Sequence, residues 1–236
     1  MHTFNSLSAL LLFSSPLFAS AAVVTGAAAK QLVKPKASDP FTMIAVHSTS
    51  PIHLQPVSAQ RNHFFIGNTT VTSCPDVEDI ECPSPANVTV LQTSARGSCN
   101  LVRTPYTPAY YVQRMTMLTS ARTQDVVVPG GQAVYVEATG ALAYTVAHSN
   151  VFPRGAKRRS FALDRLNSEQ NSFTYSGTGK SSGWLACPVA NETYQVFANI
   201  VLKDEHVPQK NTSACIGFDA LTTNYTLPGP AAWQYD

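Results

Sequence analysis

Ala133 to Val146, AVYVEATGALAYTV, decides the fold class. Ala133 to Glu137 and Ala141 to Val146 are short runs of β-branched and aromatic residues, and Glu137-Ala138-Thr139-Gly140 between them has the form of a hairpin turn. Gly140 supplies the positive φ that closes such a turn. The same texture extends outward in both directions: Phe41 to His47, Ile52 to Val57, His63 to Ile66, Val88 to Leu91, Tyr194 to Leu202 and Phe218 to Tyr225 all read as strands between Gly, Pro, Asn and Ser clusters. Beyond the N-terminal leader no long stretch has helical apolar periodicity. The expectation is a single all-β domain over residues 39–236, a two-sheet sandwich, with a closed barrel or trefoil as the alternative.

The N-terminus carries an apolar run, Leu10-Leu11-Leu12-Phe13 through Phe18, closed by Ala19-Ser20-Ala21. That is the layout of an export signal over residues 1–21, too short for the roughly 20 apolar residues of a membrane span. Residues 22–38, Ala-rich and then basic, have no apolar pattern to bury and read as a flexible leader or pro-segment. The C-terminal residues have no hydrophobic tail of the glycolipid-anchor kind, so the mature protein is expected to be free of the membrane once the signal is cleaved.

Only 13% of the residues are charged and the net charge is +2, which gives no electrostatic case for nucleic acid. Five N-x-[ST] sequons, at Asn68, Asn87, Asn191, Asn211 and Asn224, offer sites where glycans would supply the missing solubility. The basic knot Lys157-Arg158-Arg159 reads as an exposed loop, with dibasic processing as the sharper alternative. In an oxidising compartment Cys74 with Cys82, and Cys187 with Cys215, read as two local bridges, which leaves Cys99 over.

No catalytic constellation assembles from the sequence. Gly179-Lys180-Ser181-Ser182-Gly183 has the letters of a nucleophile elbow, but Trp184-Leu185-Ala186-Cys187-Pro188 follows where a helix must start, so a glycine-serine loop is the better reading. Outside the leader, His47, His53, His63, His148 and His206 lack metal-ligand spacing, and neither metal nor cofactor is expected. Asp76, Glu78, Asp79 and Glu81 crowd one short loop without a calcium pattern. Glu137, Asp164 and Asp219 lie on or near expected strands, where a spatial pairing is not readable. Trp184 and Trp233 are the candidate carbohydrate-contact residues if exposed aromatics line up on one face, while Tyr194 and Phe197 are better read as core. The chain is expected not to be an enzyme.

Several phrases together carry a family resemblance. They are Phe41-Thr42-Met43-Ile44-Ala45, Ser50-Pro51-Ile52-His53-Leu54, Val128-Pro129-Gly130-Gly131-Gln132-Ala133-Val134-Tyr135-Val136, Gly140-Ala141-Leu142, Ala147-His148-Ser149, Ala186-Cys187-Pro188, Tyr194-Gln195-Val196-Phe197-Ala198 and Cys215-Ile216-Gly217-Phe218. In order and spacing over about residues 39–227 they resemble the fungal phialide cell-wall protein family PhiA, also described as IgE-binding and so allergen-like. The resemblance implies a secreted wall protein linked to phialide and conidium development, with wall polysaccharide or other wall proteins as partners and no catalytic residues to carry over. It also matches cysteines at Cys74, Cys82, Cys187 and Cys215. A wall-polysaccharide-binding, lectin-like protein or a weak wall glycosidase is the alternative. Residues 102–124 depart from the family pattern, and no acid occurs between Cys82 and Gln124. They read as a loop insertion or a retained intron, since Val102-Arg103, Leu118-Thr119 and Gln124 permit donor, branch-point and acceptor codons.

Overall fold

The computed structural model describes residues 40–77, 80, 82–83, 88–93, 98–99, 116–119, 121–124, 126–159, 161–166, 170–177 and 183–236. The expected signal and leader, the sequon at Asn87, residues 179–182 of the glycine-serine loop, the acids Glu78, Asp79 and Glu81, and residues 102–115 of the inserted stretch lie outside the described residues.

The strands in chain order are β1 (Phe41–Val46), β2 (Val57–Gln60), β3 (His63–Ile66), β4 (Thr72–Ser73), β5 (Leu91–Thr93), β6 (Ser98–Cys99), β7 (Thr116–Thr119) and β8 (Ala121–Gln124). The hairpin strands β9 (Val134–Val136) and β10 (Leu142–Tyr144) follow, then β11 (Phe161–Arg165), β12 (Asn171–Tyr175), β13 (Trp184–Ala190), β14 (Thr193–Ala198), β15 (Ile216–Asn224) and β16 (Gln234–Tyr235). Two single 3-10 turns, Asp204–His206 and Thr212–Ala214, are the helical elements among the described residues.

Two layers meet at β15. Its first residues, Ile216 to Phe218, pair antiparallel with Ala186 to Trp184 of β13, while Asp219 to Asn224 pair with β1 and Ala220 to Thr222 with β12. One layer runs β6-β7-β11-β12-β15-β1-β5-β8; the other leaves β15 through β13 and β14 to β3, β10 and β9, with β2 on the far edge of β3. A strand that changes sheets is how a sandwich turns a corner. Among the described residues β6 and β9, the two ends of the path, are not paired to each other, so the sheet folds over on itself and does not close into the alternative barrel.

Alternation builds the core. β1 is buried at every second residue, Phe41, Met43 and Ala45, as period-2 patterning requires of a strand with one face inward. Phe161 and Phe173 stack at 5.4 Å from one layer, and Trp184 from the other lies 5.6 Å from Phe173 at an interplanar angle of 16°. Phe64 and Tyr144 extend the same core edge to face. Leu185, Cys187 and Phe197 on the outer side of the second layer form a smaller cluster with Val207, and the Cys187–Cys215 bridge staples the covering segment there. Both expected bridges, Cys74–Cys82 and Cys187–Cys215, are formed.

The hairpin at Glu137–Gly140 forms as expected, with Gly140 at φ 98° and its N–H donating to the Glu137 carbonyl at 3.0 Å. Ile52 to Val57 differs from expectation. Ile52 is fully buried, but Ser50 to Gln55 make consecutive turns and Leu54 takes φ 62°, so the strand begins only at Val57. Pro51 and Pro56 each remove the N–H that a ladder would need, which explains the delay. Pro188 is tolerated within β13 because it lies beyond Ala186, the last residue paired to β15, next to a register shift. The described part of the inserted stretch joins the sheet: β7 pairs with β6 and β11, and β8 with β5.

Candidate functional site

The C-terminal residues form a strap across one end of the second layer. Val127 and Val128 donate main-chain hydrogen bonds to the carbonyls of Ala232 and Trp233 at 3.1 and 3.0 Å, and β16 pairs with β4. Asp236 is held at both main-chain groups, donating to Val71 at 3.0 Å and accepting from Arg61 at 2.7 Å. The fully buried Gln132 side chain grips the strap from inside: its Oε1 accepts from the Tyr235 N–H at 2.8 Å, and its Nε2 donates to the Tyr235 carbonyl at 2.8 Å and the Thr145 carbonyl at 3.2 Å. The Tyr235 hydroxyl accepts from the Val90 N–H at 3.0 Å. Ala231, Ala232 and Tyr235 are each 1% exposed.

Trp233, between these sealed neighbours, is only half-buried and lines an open pocket of about 420 Å³. Four separated chain segments build it. Ser73 at the end of β4 leads into Cys74, Pro75 and Ile80 of the disulfide loop, Pro129 comes from the turn closed by the Gly131 N–H on the Val128 carbonyl, and His148 from a turn where it takes φ 58°. Trp233 and Gln234 come from the strap. The Cys74–Cys82 bridge, with Cα atoms 6.1 Å apart, ties down the loop that supplies one wall. Gln234 Nε2 donates to Asp236 Oδ1 at 2.9 Å, which fixes the amide at the pocket edge. An indole with proline and isoleucine carbons beside a few polar groups is the make-up of a small-molecule or sugar site. Among the described residues no fixed charge lines it.

Trp184 cannot share this role, contrary to the expectation that paired it with Trp233. It is 2% exposed, its indole N–H donates to the Phe173 carbonyl at 2.6 Å, and it lies inside the aromatic core. Phe197 is core as read, and Tyr194 packs against the core from a partly exposed position. The chain end around Trp233 is tied on both sides by the strap. Gln132, Ile80, Pro129 and His148 were not singled out from sequence as site residues; the run Pro129-Gly130-Gly131-Gln132 was the one local signal, a tight turn followed by an amide.

The other nominated residues are dispersed. Asn191, Asn211 and Asn224 are exposed, on the β13–β14 turn, at the start of the second 3-10 turn and at the end of β15. Asn68 is half-buried and donates to the Gln60 side chain. Asp164 and Asp219 lie on strands with β12 between, about 10 Å across the sheet. Lys157, Arg158 and Arg159 are exposed, yet Lys157 exchanges two main-chain bonds with Val136 and Arg158 sits 4.5 Å over the Phe152 ring.

Glu137 takes a histidine instead of a second carboxylate. His63 Nε2 and Glu137 Oε1 are 3.3 Å apart, both side chains about a quarter exposed, with Thr139 donating to Glu137 Oε2 at 2.9 Å. Burial pulls the His63 pKa down, but the bonds to Glu137 and the Arg61 carbonyl and the charge of Glu137 outweigh it, and the net shift is upward. The bond from His63 holds Glu137 below its ordinary value against the opposing effect of burial. The pair therefore stabilises the fold fully from the ordinary glutamate value of 4.5 up to the ordinary histidine value of 6.5. Its contribution falls away below that window as Glu137 protonates through its lowered folded pKa, and above it as His63 loses its proton through its raised one. Melting of Glu137→Gln beside the parent should show a deficit of roughly 1 kcal/mol near pH 5.5 that fades by pH 9. A deficit unchanged across that range would contradict the ion-pair assignment.

Residues 41–236 match the PhiA-like secreted protein family, and the chain belongs to it. It is also 32% identical over 203 residues to an uncharacterized secreted protein of Arthroderma benhamiae, covering 84% of this chain and 88% of that relative. No solved structure matches. The protein is therefore a secreted one.

Proposed function

We propose that this chain is a non-catalytic, N-glycosylated component of the fungal cell wall, in the walls of phialides and the conidia they bud off, and that it grips wall polysaccharide at the Trp233 pocket. The observation that carries the reading is the placement of Trp233. The strap seals Ala231, Ala232 and Tyr235 yet leaves the largest side chain of the segment facing an open pocket. Leaving a half-buried indole open to water forgoes part of its burial gain, which a stacking ligand restores. The family match and its resemblance to wall proteins support the location; the exposed Asn191, Asn211 and Asn224 support glycosylation, because acceptor asparagines on turns and strand ends are reachable.

The test is sedimentation of the purified secreted protein with insoluble chitin, β-glucan and mannan, alongside Trp233→Ala. Saturable binding to at least one polymer, competed by free oligosaccharide, is expected for the parent. Loss of an indole anchor costs roughly 2 kcal/mol, so the variant should bind more than tenfold more weakly with its fold intact by circular dichroism. No binding by the parent, or equal binding by the variant, would sink the proposal.

A further inference from the structure

We infer that the sugar this pocket selects is an N-acetylated hexosamine, as in chitin, in preference to an unsubstituted glucose unit. The inference rests on the polysaccharide reading above and deepens it. A pyranose ring presents one apolar C–H face, and a single indole is enough to cover it; its rim carries hydroxyls, each of which loses water on entry and needs a new partner. Trp233 supplies the stacking face. Among the described residues the remaining lining is largely apolar: Pro75 and Ile80 from the disulfide loop and Pro129 from the turn after Val128 present hydrocarbon, and Cys74, bridged to Cys82, lines the pocket beside them.

Among the described residues the hydrogen-bonding side chains that line it are Ser73, His148 and Gln234. An acetamido group suits this division. Its methyl can rest against Ile80 and the prolines, while its N–H and C=O match the serine hydroxyl, the imidazole and the amide, which between them can both donate and accept. An unsubstituted glucose would set its 2-hydroxyl against hydrocarbon. A methyl filling such a wall is worth roughly tenfold or more in selectivity. The wall facing the sugar is itself held by the Cys74–Cys82 bridge, so the selectivity depends on a loop that the covalent framework keeps in place.

The experiment is isothermal titration of the full secreted protein with chitohexaose, cellohexaose, laminarihexaose and the deacetylated chitosan hexamer, for the parent, Ile80→Ser and Trp233→Ala. Chitohexaose and cellohexaose share ring and linkage and differ at the C2 substituent. The inference expects chitohexaose to bind at least tenfold tighter than cellohexaose, Ile80→Ser to erase most of that ratio, and Trp233→Ala to weaken binding of both more than tenfold. Equal binding of the two, or tighter binding of laminarihexaose, overturns the selectivity and leaves the polysaccharide reading standing. Tighter binding of the chitosan hexamer overturns it in favour of a charge-led site. No binding of any of these oligomers overturns the selectivity, and no sedimentation with chitin, β-glucan or mannan overturns the polysaccharide reading as well.

Discussion

Trp184→Ala is expected to cost about 3–5 kcal/mol, enough to abolish cooperative unfolding in a domain of ordinary stability. The side chain is 2% exposed and stacks on Phe173, with Phe161 and Tyr175 both 6.3 Å away by ring centroids. Truncation would empty the place where the two layers touch, because Trp184 pairs with Phe218 of β15 and Ala198 of β14 while its ring lies against β11 and β12. Trp184→Phe separates the contributions. It keeps most of the stacking but loses the indole hydrogen bond to the Phe173 carbonyl, and should cost about 1–3 kcal/mol. Urea denaturation followed by near-ultraviolet circular dichroism reads both. An alanine variant as stable as the parent would mean that the layers do not depend on this joint.

Gln132→Leu should cost about 2–4 kcal/mol and, unlike Trp184→Phe, should also weaken polysaccharide binding. Leucine fills a similar volume but removes the partner that Gln132 gives to the Tyr235 N–H and carbonyl, at a position with no access to water. The strap would loosen at Tyr235, two residues from Trp233, and the indole would lose its fixed pose while remaining in the chain. Hydrogen exchange over residues 231–236 should rise far more than over β1. Unchanged exchange there, with binding intact, would show that the pairing of β16 with β4 suffices to hold the strap.

The parts of this structure legible in sequence are those where spacing within a few residues decides the outcome. Phe41, Met43 and Ala45 announce a one-sided strand; Glu137 to Gly140 announces its turn; Cys74 with Cys82 and Cys187 with Cys215 pair across loops short enough to suggest it. Of the residues lining the candidate pocket, Trp233 is the one that sequence nominates for contact. The pocket walls come from positions 73–80, 129, 148 and 233–234, and no local period joins positions so far apart. Trp184 and Trp233 look alike to composition, and only the pairing of β13 sends one inward. His63 on β3 and Glu137 at the end of β9 stand two strands apart with β10 between, and that their side chains reach each other is a fact of tertiary register. Ile52 shows the opposite failure: its hydrophobicity reported burial correctly, but the flanking prolines determined that burial would occur on a turn.

The pairing of β1 with β15 fixes when this protein can fold as well as how. Residues 41–46 meet residues 54–56 and Leu91 locally but find a partner along their whole length only at 219–224, so while the chain is threaded into the secretory pathway one edge of the first strand waits open for nearly the last one. No N-terminal portion can close either layer ahead of time, and the waiting interval is when strand edges are most open to aggregation. Any translation product that stops before β15 would leave both layers without their shared member and would be a substrate for quality control, not a shorter version of the protein.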